Sequence, residues 1–135
     1  LTATMTADRV TGVIRSPRDL AGRIVGCQQM AITVQLVKQR GGVPQEYPTM
    51  NDAIEALELG LVEAVVGENQ TLMFLLGKRK TSDVRIVGPI FDPFDYGIGF
   101  PSNSPIREQL NTALLRMRED GTLERIRSEW FGTHD

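Results

Sequence analysis

Apolar positions along the chain fall into short blocks separated by polar turns. Arg23-Ile24-Val25-Gly26-Cys27 reads as a short buried strand, and Ala31 to Arg40 as a helix that Gly41-Gly42 stops. Val43 to Tyr47 is a second strand, which Pro44 confines to a sheet edge because it cannot donate to an inner ladder. Thr49 suits the N-cap of the next helix, where Met50, Ile54, Leu57 and Leu61 recur at helical spacing and Gly60 closes the run. Val62 to Val66 is too apolar for a half-solvated strand and predicts cover on both faces. A helix over Asn69 to Leu76 follows, then strands over Val84 to Gly88 and Tyr96 to Phe100. Ser104, with Pro105 at the first helical position, opens a helix with the apolar stripe Ile106, Leu110, Ala113, Leu114 and Met117. Gly121 ends it, and Thr122 caps a last helix that aligns Leu123, Ile126 and Trp130. Residues 1–18, rich in Thr, Arg, Gly and Ser, show no sustained period and read as a linker leading to Pro17. Strands alternating with helices predict an α/β architecture with a largely parallel sheet holding 23–27, 62–66 and 84–88.

Composition narrows the function. With 41% hydrophobic and 24% charged residues over 135 positions, the chain can bury the core of one globular domain. The net charge is −2 with acids and bases interleaved, and no basic block supports nucleic-acid binding. Cys27 is the single cysteine, which excludes an internal disulfide. The one histidine, His134, sits at the chain end, which removes a zinc cluster and a Ser-His-Asp triad and points away from an enzyme. No cofactor and no metal is implied. No stretch reaches the roughly 18–20 apolar residues of a membrane span.

The order of local signals adds a resemblance. Asp19-Leu20-Ala21-Gly22-Arg23-Ile24-Val25-Gly26 resembles the segment that opens the second lobe of family-3 solute-binding proteins. Tyr47 through Val66, Tyr96-Gly97-Ile98-Gly99 and 110–132 are similar to later blocks of that family, in the same order, so that roughly residues 14 to 132 are covered. Thr4-Met5-Thr6-Ala7-Asp8-Arg9-Val10 resembles the stretch leaving the third membrane helix of ionotropic glutamate receptors, where a channel interrupts the binding protein between its lobes.

The resemblance implies a type II periplasmic-binding-protein-like second lobe, with C-terminal helices returning to a first lobe that this chain lacks. Residues 1–18 would then be a linker following a membrane or pore segment, 19–98 the lobe, and 99–135 the crossover strand and C-terminal helices. The implied function is binding of an amino-acid-like small molecule in a ligand-gated channel-like receptor, tethered to the membrane on its periplasmic or extracellular face. The alternatives are a lobe of an ABC-transporter amino-acid-binding protein and a solute-binding-like dehydratase.

In that family the second lobe offers a helix N-terminus to an anion and an acid to the ligand's amino group. Glu68 falls where the acid belongs; its other reading is a solvent-exposed helix cap. The family's usual Q-x-G-T-T turn is here Gln28-Gln29-Met30-Ala31-Ile32-Thr33, with both hydroxyl positions apolar and the glycine replaced by Met30. Gln28 and Gln29 could donate to a carboxylate or cap the turn, and Thr33 contributes if the helix starts one residue later. Tyr96 lines the cleft at the crossover or packs in the core, Cys27 is a small buried strand residue, and Glu63 lies away from the cleft. Ile106, Leu110, Leu114, Ile126 and Trp130 form a face for the first lobe, whose absence invites a homodimer or domain exchange.

Overall fold

In the computed structural model, which describes residues 2–9, 13–80 and 83–132, the strand signals resolve into one five-stranded sheet. Its order is β3 (Val43–Tyr47), β2 (Ile24–Gln28), β4 (Ala64–Glu68), β1 (Thr2–Arg9), β5 (Val84–Phe94). β2 pairs in parallel with both β3 and β4. β1 pairs antiparallel with β4 and with β5, so β5 points the same way as β2, β3 and β4. Only β1 runs against them, and the expected mostly parallel sheet stands.

β1 corrects the reading of residues 1–18 as a linker. Thr2, Thr4 and Thr6 alternate with Ala3, Met5 and Ala7, a period of two in which β-branched threonine favours extended backbone. Alanine and threonine differ too little in polarity for that period to register as amphipathic. Residues 10–12 of the same stretch lie outside the described residues. Beyond them Ile14 is buried, and Ser16 and Asp19 form a capping box on a 3-10 turn over Pro17–Leu20.

The helices cover both faces. One apolar cluster joins Val65 of β4 to Met50, Ala53, Ile54 and Leu57 of α2 (Met50–Glu58) and to Leu72 of α3 (Asn69–Gly77). The other joins Ala64 and Val66 of β4 to Val25, Cys27, Ile14, Leu20 and Val37, the last from α1 (Ile32–Gln39). The successive residues of β4 therefore face opposite clusters, as its unbroken apolar run requires. β3 with Pro44 is the sheet edge, as expected.

α2 begins with a reciprocal cap: Thr49 Oγ1 accepts from Asp52 N at 3.2 Å, and Asp52 Oδ2 accepts from Thr49 N at 3.1 Å. Its stripe stops short of Leu61, which is 64% exposed. The helix ends at Glu58, and the turn through Gly60 swings Leu61 outward while Val62 enters the core. β4 starts two residues later than the 62–66 run, because Glu63 is engaged elsewhere. Its carboxylate accepts from Ile24 N at 2.9 Å and pairs with Arg23 at 2.8 Å, tying the bend before β4 to the start of β2.

The Ile24 amide first, and then the Arg23 guanidinium, hold the Glu63 carboxyl below its ordinary pKa. A depressed folded-state pKa gives stability that is present above the ordinary carboxylate range and is lost as pH falls through the folded value. Acid melts should show the parent losing thermal stability more steeply than Glu63→Gln below about pH 4.3. The pair is largely solvated, so the difference stays under about 1 kcal/mol; parallel curves would remove Glu63 from the acid response.

β5 runs on to Phe94, but Tyr96–Phe100 forms no strand, correcting that expectation. Gly97 and Gly99 give the stretch little to pack, and among the described residues no strand pairs with it. A first compact unit ends at Asp95 and a second begins at Tyr96. The second unit holds α4 (Arg107–Glu119) and α5 (Thr122–Phe131). Ser104 does not cap α4: its carbonyl accepts from Arg107 N in a preceding turn, and the helix starts after Ile106. Asp120 takes the role expected of Thr122, accepting from Thr122 N at 2.9 Å. No residue of α4 or α5 is buried, and Ile106, Leu114, Ile126 and Trp130 are exposed.

Candidate functional site

Each of β2, β3 and β4 runs directly into a helix, so α1, α2 and α3 present their N-termini at one edge of the sheet. In open parallel sheets this carboxyl edge is where ligands bind, and the unbonded first N–H groups of the helices make it attractive to anions. Gly26 stands opposite Val65. Beyond that pair β2 ends at Gln28 and β4 at Glu68, at the same end of the sheet, with Gln29 in the turn that follows β2. Gln28 is paired with Tyr47 on the other side.

The structure thus brings Gln28, Gln29 and Glu68 to one edge. Gln28 and Gln29 expose their side chains, and Gln29 N donates to Tyr47 O at 2.8 Å, which fixes the turn. Glu68 is half-buried at the last position of β4. It precedes α3 in extended conformation, yet its side chain makes no cap on that helix. Glu68 is thus the N-cap of α3 by position, without a side-chain cap hydrogen bond.

Thr33 does not join them. Ala31 is the N-cap of α1, without a side-chain cap, so Thr33 occupies the second helical position and turns inward, 2% exposed. Its hydroxyl lies by the Cys27 thiol and favours the thiolate, but burial first and the Glu46 charge second push that thiol up to about 12. Cys27 is a buried strand residue, as expected, and is protonated at neutral pH. Tyr96 opens the second unit, exposed and outside any regular element.

Sequence reasoning missed what the turn does with its apolar residues. Met30 adopts φ 58°, a left-handed conformation that side chains other than glycine and asparagine seldom take. It is 97% exposed, and Ile32 at the first position of α1 is 57% exposed. The signal was present as a long apolar residue where a turn wants glycine.

A cavity of about 670 Å³ opens away from this edge, lined by Ser16, Pro17, Arg18, Gln39, Arg40 and Pro89. Its Arg40 is already held by Asp92 at 2.6 Å and lies 4.4 Å above the Phe91 ring. Chemistry and concavity do not coincide there, and the carboxyl edge is the better candidate.

No family model matches the chain. Glutamate receptor 3.1 of Oryza sativa subsp. japonica is 32% identical over 111 residues, which is 78% of this chain and 11% of that protein. The glutamate-binding protein of Corynebacterium glutamicum is 32% identical over 128 residues, 88% of this chain and 43% of that protein. The GluR0 ligand-binding core from Nostoc punctiforme, solved with L-glutamate, superposes with a TM-score of 0.82 at 31% identity, covering 98% of this chain and 62% of that one. The chain spans less than two thirds of each.

Proposed function

We propose that the chain is the second lobe of an amino-acid-binding domain, of the kind found in the amino-acid-binding proteins and glutamate-receptor ligand-binding cores to which it is similar. The carrying observation is the half-buried Glu68 at the end of β4, at the edge of the sheet where the neighbouring β2 leads into α1, whose N-terminus has no side-chain cap. Glu68 receives the ligand's ammonium in a charge-assisted hydrogen bond. Gln28, Gln29 and the first N–H groups of α1 face its carboxylate or polar end, and Tyr96 lies where the chain crosses between lobes. Thr33 is left out of the site because it is buried.

The relatives are named as receptors and binding proteins, not as enzymes. From Gly41 to Gly77, and from Ile24 to Val37, the sequence carries no lysine, arginine or histidine. That weakens the dehydratase alternative. A first lobe supplies the remaining contacts, and Ile106, Leu110, Leu114, Ile126 and Trp130 cover it. Expressed without that lobe, the chain should dimerise or exchange helices, and light scattering that shows only monomer at micromolar concentration would count against the assignment.

Closure around the ligand is transmitted through β1, which lies between β4 and β5 and so moves with the lobe. In a channel tethered to the membrane at its periplasmic or extracellular face, that movement biases the gate. Ligand does so only by binding the closed form more tightly than the open one. The Corynebacterium relative, matching 88% of the chain, favours a second context, a transporter's binding protein. A thermal-shift screen of the intact two-lobe protein against the common L-amino acids tests binding in either context. At least one should raise the melting temperature in a concentration-dependent way; none doing so would overturn the proposal.

A further inference from the structure

β5 does not follow β1 evenly. Between Thr6 and Thr4 one residue of β1 faces three of β5 (88–90), and between Thr4 and Thr2 one faces two (92–93). The strand therefore bulges on either side of Phe91. Each bulge holds a positive φ just before a proline: Gly88 at 74° before Pro89, and Asp92 at 48° before Pro93. Glycine takes that conformation freely. Asp92 does not, because it has a Cβ and because a following proline favours extended backbone.

A strained residue persists where its surroundings hold it. Asp92 is held by Arg40, the residue that ends α1. Arg40 Nη2 lies 2.6 Å from Asp92 Oδ2, and the guanidinium carbon stands 4.4 Å over the Phe91 ring. Nη1 donates to Leu36 O at 3.4 Å, which seats the cation at the carbonyl end of its own helix. The two side chains are 26% and 42% exposed, so the pair is sheltered enough to be worth more than a fully solvated one. α1 is the fixed side of this contact, because Val37 in its last turn is fully buried. The β5 side is weakly attached beyond Phe91. Pro93 has no N–H to give the ladder, Phe94 pairs with Thr2 at the strand's end, and the first compact unit stops at Asp95.

We infer that Arg40 is a latch on the outer end of β5. While it holds Phe91 and Asp92, residues 92–94 stay zipped to the start of β1. When it lets go, Asp92 relaxes to extended backbone and 92–94 peel from β1, leaving the pairs from Thr6 to Arg9 intact. The latch joins the C-terminal end of α1, a helix whose N-terminus lies at the carboxyl edge, to the strand pair next to Asp95. In the two-lobe reading it sets how much of the β1–β5 ribbon moves with the lobe on closure. That consequence rests on the two-lobe reading; the latch itself does not.

Hydrogen exchange of the intact protein, without added ligand, tests the latch in the parent, Arg40→Gln, Asp92→Asn and the double variant. Either single substitution should speed amide exchange in 91–94 and 2–4 about tenfold, the scale of one lost, partly sheltered charged contact. Amides in 84–87 and 6–9, where the register is unbroken, should stay within about twofold of the parent. The double variant should exchange no faster than either single one, because both remove the same contact. Unchanged exchange in 91–94, an equal rise throughout β2 and β4, or additive effects in the double variant would overturn the latch. Asp92 is exposed and asparagine also tolerates a left-handed φ, so Asp92→Asn carries the test if Arg40→Gln fails to fold. Because no ligand is present, this result is independent of whether the amino-acid site stands.

Discussion

Replacing Glu68 by glutamine in the intact protein should weaken amino-acid binding about ten- to a hundredfold, the equivalent of losing roughly 1.5–3 kcal/mol from a hydrogen bond to a charged group. Glutamine keeps the shape and one acceptor oxygen but removes the charge that the ammonium pairs with. Glu63 is the matched control, in the bend just before the opposite end of β4. Its carboxylate is committed to Ile24 N and Arg23, so Glu63→Gln should alter acid stability and leave affinity within about twofold. Calorimetry on the two variants separates the roles. Equal loss at both positions would mean that the Glu68 effect comes through the fold.

The largest effect on stability should come from Gly88→Ala. Gly88 sits at φ 74° in β5, and a Cβ there would lie 2.8 Å from the Arg15 carbonyl oxygen and 3.0 Å from Ser16 Cα. Both atoms are backbone, so nothing can rotate aside. Left-handed strain of about 1–2 kcal/mol adds to an overpacking cost of about 1–3 kcal/mol, for a loss of roughly 2–5 kcal/mol. The melting temperature should drop by about 10 °C or more. Gly97→Ala is the comparison, since a Cβ there meets nothing within 4 Å, and should melt with the parent. Coincident melts for Gly88→Ala would show that the 13–16 segment does not pack against β5 as described.

Much of this fold was legible in the sequence. The strands and helices between Ile24 and Gly77 announced themselves through strong periods and through caps such as Thr49 with Asp52, and apart from Leu61, which α2 stops short of, each boundary moved by two residues at most. The misses at Thr2–Arg9 and at Val62 and Glu63 share a cause, which is that a long-range partner overrode a local pattern. Thr2–Arg9 is a strand because β4 and β5 flank it, whereas its own Thr–Ala alternation carries little contrast. Val62 and Glu63 leave the strand because Glu63 bonds to the start of β2, forty residues away in sequence for its Arg23 partner. Ser104 and Thr122 look like caps, but nearby backbone and the Asp120 carboxylate satisfy those helix starts instead.

The site was legible in part. Glu68, Gln28 and Gln29 could be proposed from order along the chain, and parallel pairing of β2 with β4 puts the strand ends that carry Gln28 and Glu68 at one edge of the sheet. That Thr33 faces the core and Met30 faces out depends on where α1 begins. A shift of one helical position rotates a side chain by about 100°, finer than capping signals resolve when the cap is Ala31.

The account turns on an ammonium meeting Glu68. The direct measurement is calorimetric titration of the intact protein, and of Glu68→Gln, with the best-binding L-amino acid and its N-acetyl derivative, which keeps the side chain and carboxylate but lacks the cation. The account predicts that the parent loses at least tenfold in affinity on N-acetylation and that the difference largely disappears in Glu68→Gln, the coupling expected of two groups in contact. Equal affinities of the parent for both ligands, or an undiminished difference in Glu68→Gln, would contradict it.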